Sequence, residues 1–315
     1  MIKKNVLIFG STGQIGRHLI RKLTKNNYKV ICQTRNSHKA IFLKTSGSIG
    51  YIEIKEANIF DISKLEELID SSDICVNLIG ILYQDKINTF KRIHSDFPEI
   101  LAKICEKKNK NLIHISALGL ENIKDSDYAK SKILGENRIR QLLKTATIIK
   151  PSVVFSVDDS FTTKFMGMLS IFPAFPLYYK GSTLFTPIHA TDIAELIYFV
   201  IKNNLLAKDI EAIGTKEISF KEILKILAKS INKQRLFIPL PYPLARLSAS
   251  LLQLFPKPLL TIDQLKLLKY NNIKSKSGIT NFDIGCPSKI DFEDGVKKYS
   301  YNWTEGGQYS RGSEK

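Results

Sequence analysis

Tyr128-Ala-Lys-Ser-Lys132 is a Y-x-x-x-K pair. On a helix this spacing lays a phenol and an ammonium on one face. The ammonium would lower the phenol's pKa, and Tyr128 could then exchange a proton with a carbonyl or hydroxyl oxygen. Ser116 closes the apolar run 112–116 and could orient the same oxygen. The spacing recurs at Tyr51–Lys55 and Tyr270–Lys274 in this lysine-rich chain. Tyr51 lies in a strand pattern, where i and i+4 are far apart, and Tyr270 falls in an Asn-Asn break. Position, rather than pattern, selects Ser116, Tyr128 and Lys132 as the candidate catalytic residues. Two readings stand for Tyr128 and Lys132: ligands of a nicotinamide ribose, or a working proton-transfer pair.

The nucleotide would be seated near the start of the chain. Asn5-Val-Leu-Ile-Phe runs into Gly10-Ser11-Thr12-Gly13-Gln14-Ile15-Gly16, and a helical pattern follows at once. Glycine lets the backbone turn tightly and approach a ligand closely. At a strand-to-helix junction, free N–H groups and the helix dipole face an anion. Gly10 and Gly13 would turn against a pyrophosphate, and Gly16 would allow close helix–strand packing. An NAD site usually carries an acidic residue about 20 residues further on. No Asp or Glu occurs between Met1 and Ile52, and the second strand pattern ends in Gln33-Thr34-Arg35. A guanidinium there suits a 2′-phosphate, so NADP(H) is favoured over NAD(H).

These residues need a scaffold. Strand-like runs at 6–10, 29–33, 51–54, 74–79, 112–116 and 147–150 alternate with helical patterns at 15–25, 38–45, 63–69, 90–107 and 128–143. Near-continuous apolar strands alternating with helices predict an α/β fold, a doubly wound parallel Rossmann-type sheet. After Pro151 the alternation loosens and prolines cut the chain into short elements, which predicts a smaller, mostly helical C-terminal lobe. The expected division is a Rossmann domain over 1–155, with 188–212 returning to the sheet, a lobe over 156–187 and 213–298, and an extended tail over 299–315. Ile193, Leu196, Ile197 and Val200 give the returning helix its apolar stripe. Residues 244–255 are apolar around most of a helix, which suits either burial in the lobe or a membrane or partner interface.

The 315 residues are 43% hydrophobic and 24% charged, a globular composition. None of the four cysteines forms a C-x-x-C pair, which favours reduced thiols over disulfides or a zinc site, and no metal is expected. The uncharged stretch 165–179 is too short for the ~20 residues that span a bilayer, so no transmembrane helix is expected. The strand at residue 6 leaves no room for a leader, so a cytoplasmic or already trimmed chain is expected. A net charge of +17 fits a solvated basic surface, or an anionic membrane or acidic partner. No basic block interleaved with aromatics supports nucleic acid.

Taken together, these motifs resemble the short-chain dehydrogenase/reductase superfamily, in its extended or atypical branch, over roughly residues 1–240. The landmarks are the glycine loop, Asn58-Ile-Phe-Asp61-Ile62, Asn77-Leu78-Ile79-Gly80, Ser116, Tyr128/Lys132 and Lys150-Pro151-Ser-Val153-Val-Phe155. The resemblance implies cofactor contacts at Asp61, Ile62, Leu78, Ile79, Gly80, Pro151 and Val153. Asn77–Leu82, His114–Gly119, Thr186–Asp192, Ile238–Arg246 and Pro258–Lys266 are similar, more narrowly, to the NAD(P)H-binding accessory subunit of respiratory complex I and its bacterial relatives. That likeness implies a tightly held nucleotide, commonly NADPH, with a structural role near the quinone end of NADH–quinone oxidoreductase. The chain would then be peripheral on the inner face of the membrane, or on the matrix side if mitochondrial. The alternative is a soluble NADP-dependent reductase, epimerase or dehydratase, for example in isoprenoid or ubiquinone metabolism. One departure stands out. Extended members place an Asn in the helix before the fifth strand, where it serves a proton relay, and His94 occupies that stretch here. It is read either as a relay or as a structural histidine.

Overall fold

The computed structural model describes residues 4–255 and 258–309. The first half alternates as the apolar periods require. β1 (Asn5–Phe9) leads to α1 (Gln14–Lys25), β2 (Lys29–Thr34) to the short α2 (Ser37–Ala40), and β3 (Ile52–Glu56) to α3 (Ile62–Asp70). β4 (Ile74–Asn77) leads to α4 (Phe97–Lys107), β5 (Asn111–Ile115) to α5 (Asp127–Leu142), and then comes β6 (Thr147–Pro151). The second half holds β7 (Val154–Phe155), α6 (Thr162–Ile171), β8 (Ala174–Leu177), β9 (Leu184–Phe185), β10 (Ile188–His189) and α7 (Ala190–Lys202). It continues through β11 (Asp209–Ala212), β12 (Ile218–Ser219), α8 (Phe220–Ser230), β13 (Leu236–Pro239), α9 (Tyr242–Leu252), α10 (Ile262–Leu267) and α11 (Phe292–Ser300).

Seven strands form one parallel sheet in the order β3-β2-β1-β4-β5-β6-β11. Strand side chains alternate between faces. Val6 and Ile8 of β1 meet Leu19, Leu23, Ile193 and Ile197 of α1 and α7. Leu7 and Phe9 meet Leu65, Phe97 and Leu101 of α3 and α4 on the other face. Each such fully buried side chain contributes about 1.5–3 kcal/mol. The strand order reverses between β1 and β4, and a doubly wound sheet opens its ligand crevice at such a switch point.

Residues 188–212 return to this unit: α7 packs on α1, and β11 extends the sheet beside β6. The lobe has its own core, in which Met166, Phe175, Phe220, Leu224 and Val296 pack around Phe155.

Three elements depart from the sequence-based expectation, and a fourth had two readings open. The helix expected over 90–107 opens with a π turn at Arg92–Asp96 before α4 begins. Gly135 of α5 faces that turn, where a Cβ would overlap the carbonyl of His94. The helix expected over 38–45 is α2 followed by a 3-10 segment, Ile41–Ser46. The tail, expected to be extended, instead makes a 3-10 turn at Tyr301–Trp303, and Trp303 is buried in the lobe core. Residues 310–315 lie outside the described residues. Finally, α9 is not buried in its lobe: only Ala245 and Ala249 face inward.

Candidate active site

The glycine loop sits at the switch point. Gly10 has φ +81°, a conformation that L side chains rarely adopt, and a Cβ there would lie 3.2–3.3 Å from Leu78 and Ile79 after β4. A Cβ on Gly16 would come within 2.5 Å of the Ser11 carbonyl, so only glycine lets α1 start this close to the loop. Ser11 is anchored by donating to the Gln33 carbonyl at 2.9 Å. Gly13 is the N-cap of α1 and offers no side-chain cap. Among the described residues no acceptor meets the N–H groups of Gln14 and Ile15. The buried Gln14 Nε2 is likewise unpartnered. Unpaired donors at a helix N-terminus beside a positive-φ glycine fit a dinucleotide pyrophosphate. Gly10, Ser11, Thr12, Gly13, Gln14, Ile15 and Gly16 would hold it, and the nicotinamide would supply the hydride chemistry of the site.

The other expected cofactor contacts are distributed around this crevice. Arg35 is exposed on the loop between β2 and α2. Asn36 caps α2, and Glu56 takes the N–H and hydroxyl of Ser37. Asp61 is the N-cap of α3 and accepts from Lys64 N at 3.2 Å, and Ile62 beside it is exposed. Leu78 packs on one face of the sheet and Ile79 on the other. A Cβ on Gly80 would lie 3.5 Å from Lys132 Nζ and 3.8 Å from His94 Nε2, so this strip borders the Tyr128 helix. The Pro151 carbonyl accepts from Leu118 N, and Val153 packs on the lobe core.

At the centre, Lys132 is buried and donates to the Ile115 carbonyl at 3.1 Å. Burial lowers its pKa to about 8, against a smaller upward pull from Glu136. The Tyr128 ring lies edge-on to His94 and Phe90, with centroids at 5.2 and 5.7 Å. Burial, assisted by the Asp263 carboxylate, pushes its phenol up to about 12. The sequence pattern implies a phenol lowered by Lys132, and the structure reverses that direction. No hydrogen bond joins the Tyr128 hydroxyl to Ser116 or Lys132 among the described residues.

Ser116 is turned elsewhere. Its hydroxyl donates to Glu136 of α5, and the other oxygen of that carboxylate pairs with Lys150 Nζ at 2.9 Å. Lys150 also reaches Glu121 at 2.9 Å. Its own burial would lower its pKa, but Glu136 and Glu121 together raise it. Strand-like alternation then points the next residue, Ala117, into the apolar cluster that contains Tyr128, Leu267 and Tyr270.

His94 lies in the π turn, buried. Its Nε2 accepts from Ile81 N–H at 3.0 Å, so the proton sits on Nδ1 and is shared with Ser131 Oγ at 3.0 Å. Burial and the neighbouring Lys132 hold its pKa down to about 2. Neutral and hydrogen-bonded through both nitrogens, it fits the structural reading. Asn77 accepts from Ile79 N and donates to His114 Nδ1, which leaves the buried His114 Nε2–H unpartnered.

Sequence reasoning missed Glu136, Lys150, Ala117, His114 and Asp263. Glu136 lies four residues after Lys132, so its place on the same helical face was a usable signal. Asp263 gave none. From α10 it accepts from Ser126 Oγ at 2.8 Å, Asp127 N at 2.9 Å and Tyr128 N at 3.2 Å, clamping the start of the Tyr128 helix. Gln264 adds a bond to the Leu82 carbonyl. These bonds tie α10 to the start of α5 and to the segment after β4.

Several known proteins are similar to this chain. The NmrA-like family model matches residues 2–95. The chain is 23% identical over 281 residues to the mitochondrial NADH-ubiquinone oxidoreductase 40 kDa subunit of Neurospora crassa, covering 88% of this chain and 74% of that one. It is 24% identical over 298 residues to subunit 9 of the NADH dehydrogenase [ubiquinone] 1 alpha subcomplex of Arabidopsis thaliana, covering 90% and 74%. The chain is homologous to these complex I subunits over most of its length. Its fold is shared with dTDP-glucose 4,6-dehydratase DesIV of Streptomyces venezuelae, solved with NAD bound, which superposes with a TM-score of 0.71 at 16% identity, over 95% of this chain and 96% of that one.

Proposed function

We propose that this protein is an NADPH-holding accessory subunit attached to NADH–quinone oxidoreductase. The observation that carries the reading is the reach of the homology: it covers 88–90% of the chain and therefore includes the lobe as well as the nucleotide fold. The site agrees with a holding role. The glycine loop offers unpaired donors, while Ser116 is committed to Glu136 and the Tyr128 phenol is pushed upward. Arg35, in a segment free of acidic residues, supports NADPH over NADH. The protein would sit peripherally on the inner face of the membrane, or on the matrix side in a mitochondrion. No helix among the described residues is long and apolar enough to cross a bilayer.

Membranes of the native host, extracted in mild detergent and resolved as intact complexes, test this reading. Migration with NADH–quinone oxidoreductase, with NADPH recovered from the isolated protein, is expected. Migration as a free protein would overturn it and favour an NADP-dependent reductase, epimerase or dehydratase built on Tyr128 and Lys132.

A further inference from the structure

α9 is built inside out. It packs on the lobe through Ala245 and Ala249, one turn apart, while Leu244, Leu247 and Leu251 are 53%, 58% and 58% exposed. Their i, i+3, i+7 spacing makes one apolar stripe aimed at solvent. Beyond the helix, Leu254 and Phe255 are also exposed. At the β8–β13 ribbon, Ile171, Phe172 and Leu236 add further exposed apolar surface. An exposed apolar stripe of this kind marks a docking surface.

The chain segment that carries α9 is basic. Residues 223–262 contain six Lys or Arg and no Asp or Glu, and residues 160–191 contain no acidic residue either. Lys225, Lys229, Lys233 and Arg235 border an open depression of about 520 Å³ floored by Ala228 and Phe237. Arg235, at the edge of this depression, also borders the exposed end of α6. Its guanidinium donates to the carbonyls of Leu169 and Ser170 at the end of α6, beside Ile171 and Phe172. Lys229 lies 3.8 Å from Glu293, an exposed pair too weak to cancel its charge.

We infer that this face docks on an anionic lipid bilayer, with the α9 leucines in the acyl boundary and the Lys225–Arg235 cluster on headgroup phosphates. An outward leucine stripe beside single-signed basic side chains is the signature of an interfacial, non-spanning contact. The basic, acid-free segment 223–262 around the leucines is what favours an anionic lipid surface as the occupant. The inference deepens the peripheral placement proposed above by naming the face and the lipid class.

The test uses the full chain and sedimentation with vesicles of phosphatidylcholine plus phosphatidylglycerol, against phosphatidylcholine alone. Binding to the anionic vesicles only, weakening with salt, is expected. Lys229→Gln and Lys233→Gln should each cost about fivefold in partitioning. The double variant Leu247→Ser/Leu251→Ser should lose at least about tenfold, with an unchanged circular dichroism spectrum because both sites are exposed. No preference of the wild type for anionic vesicles overturns the inference, as does a leucine variant that binds like the wild type. If the wild type ignores vesicles yet migrates with NADH–quinone oxidoreductase, the accessory-subunit reading stands and α9 is covered by protein. Vesicle binding by a chain that migrates free of the complex would uphold the lipid contact and overturn the accessory-subunit reading.

Discussion

The hydroxyl of Ser116 is held by the carboxylate of Glu136, one helical turn beyond Lys132, and that carboxylate is in turn held by the nearly buried Lys150. Glu136→Gln should therefore destabilise the fold by about 2–3 kcal/mol. That is less than the ~3–5 kcal/mol of a fully isolated buried pair, because Lys150 keeps Glu121. Ser116→Ala should cost only about 1 kcal/mol. Urea unfolding of both variants measures the difference, and equal effects would refute the network.

Lys132 gives the stability a pH dependence of known sign. Its pKa is about 8 in the fold against 10.5 ordinarily. Between those values the unfolded chain binds more protons, so stability rises with pH there, and the burial penalty is constant below pH 8. Wild type should gain roughly 3 kcal/mol relative to Lys132→Met between pH 8 and 10.5, at about 1.36 kcal/mol per unit. Parallel stability curves for the two proteins would rule out a buried ammonium.

The clamp from α10 should be separable from nucleotide binding. Asp263→Ala removes the acceptor for Ser126 Oγ and for two N–H groups at the start of α5. A loss of about 1–2 kcal/mol is expected, seen as a lower melting temperature, with bound nucleotide retained. Nucleotide loss at unchanged melting temperature would place Asp263 in the cofactor site instead.

Two substitutions address the crevice. Gly16→Ala forces a methyl group against the Ser11 carbonyl and should abolish co-purifying nucleotide, measured by absorbance and chromatography of the released ligand. Arg35→Ser should weaken NADPH by at least about tenfold and leave NADH unchanged, since a charge-assisted hydrogen bond contributes about 1.5–3 kcal/mol. Equal loss for both nucleotides would remove Arg35 from the 2′-phosphate.

Turnover can be tested without a known substrate class. Because the Tyr128 phenol is pushed upward and Ser116 is held by Glu136, Tyr128→Phe should leave the host phenotype and the bound nucleotide unchanged. Loss of the phenotype with nucleotide still bound would show that the phenol reacts.

Much of this molecule was legible along the chain. The glycine loop, the strand–helix alternation and the shared face of Tyr128 and Lys132 follow from periods of two and 3.6 residues, which backbone geometry imposes locally. The partner of Ser116, the tautomer of His94 and the clamp of Asp263 on a helix start 137 residues away could not be read that way. Nor could the outward turn of the α9 leucines, since an apolar helix reads alike whether its leucines or its alanines face inward. These were decided by tertiary packing. Which side chains meet depends on how strands and helices from distant segments are brought together, and periodicity within one segment carries no information about that.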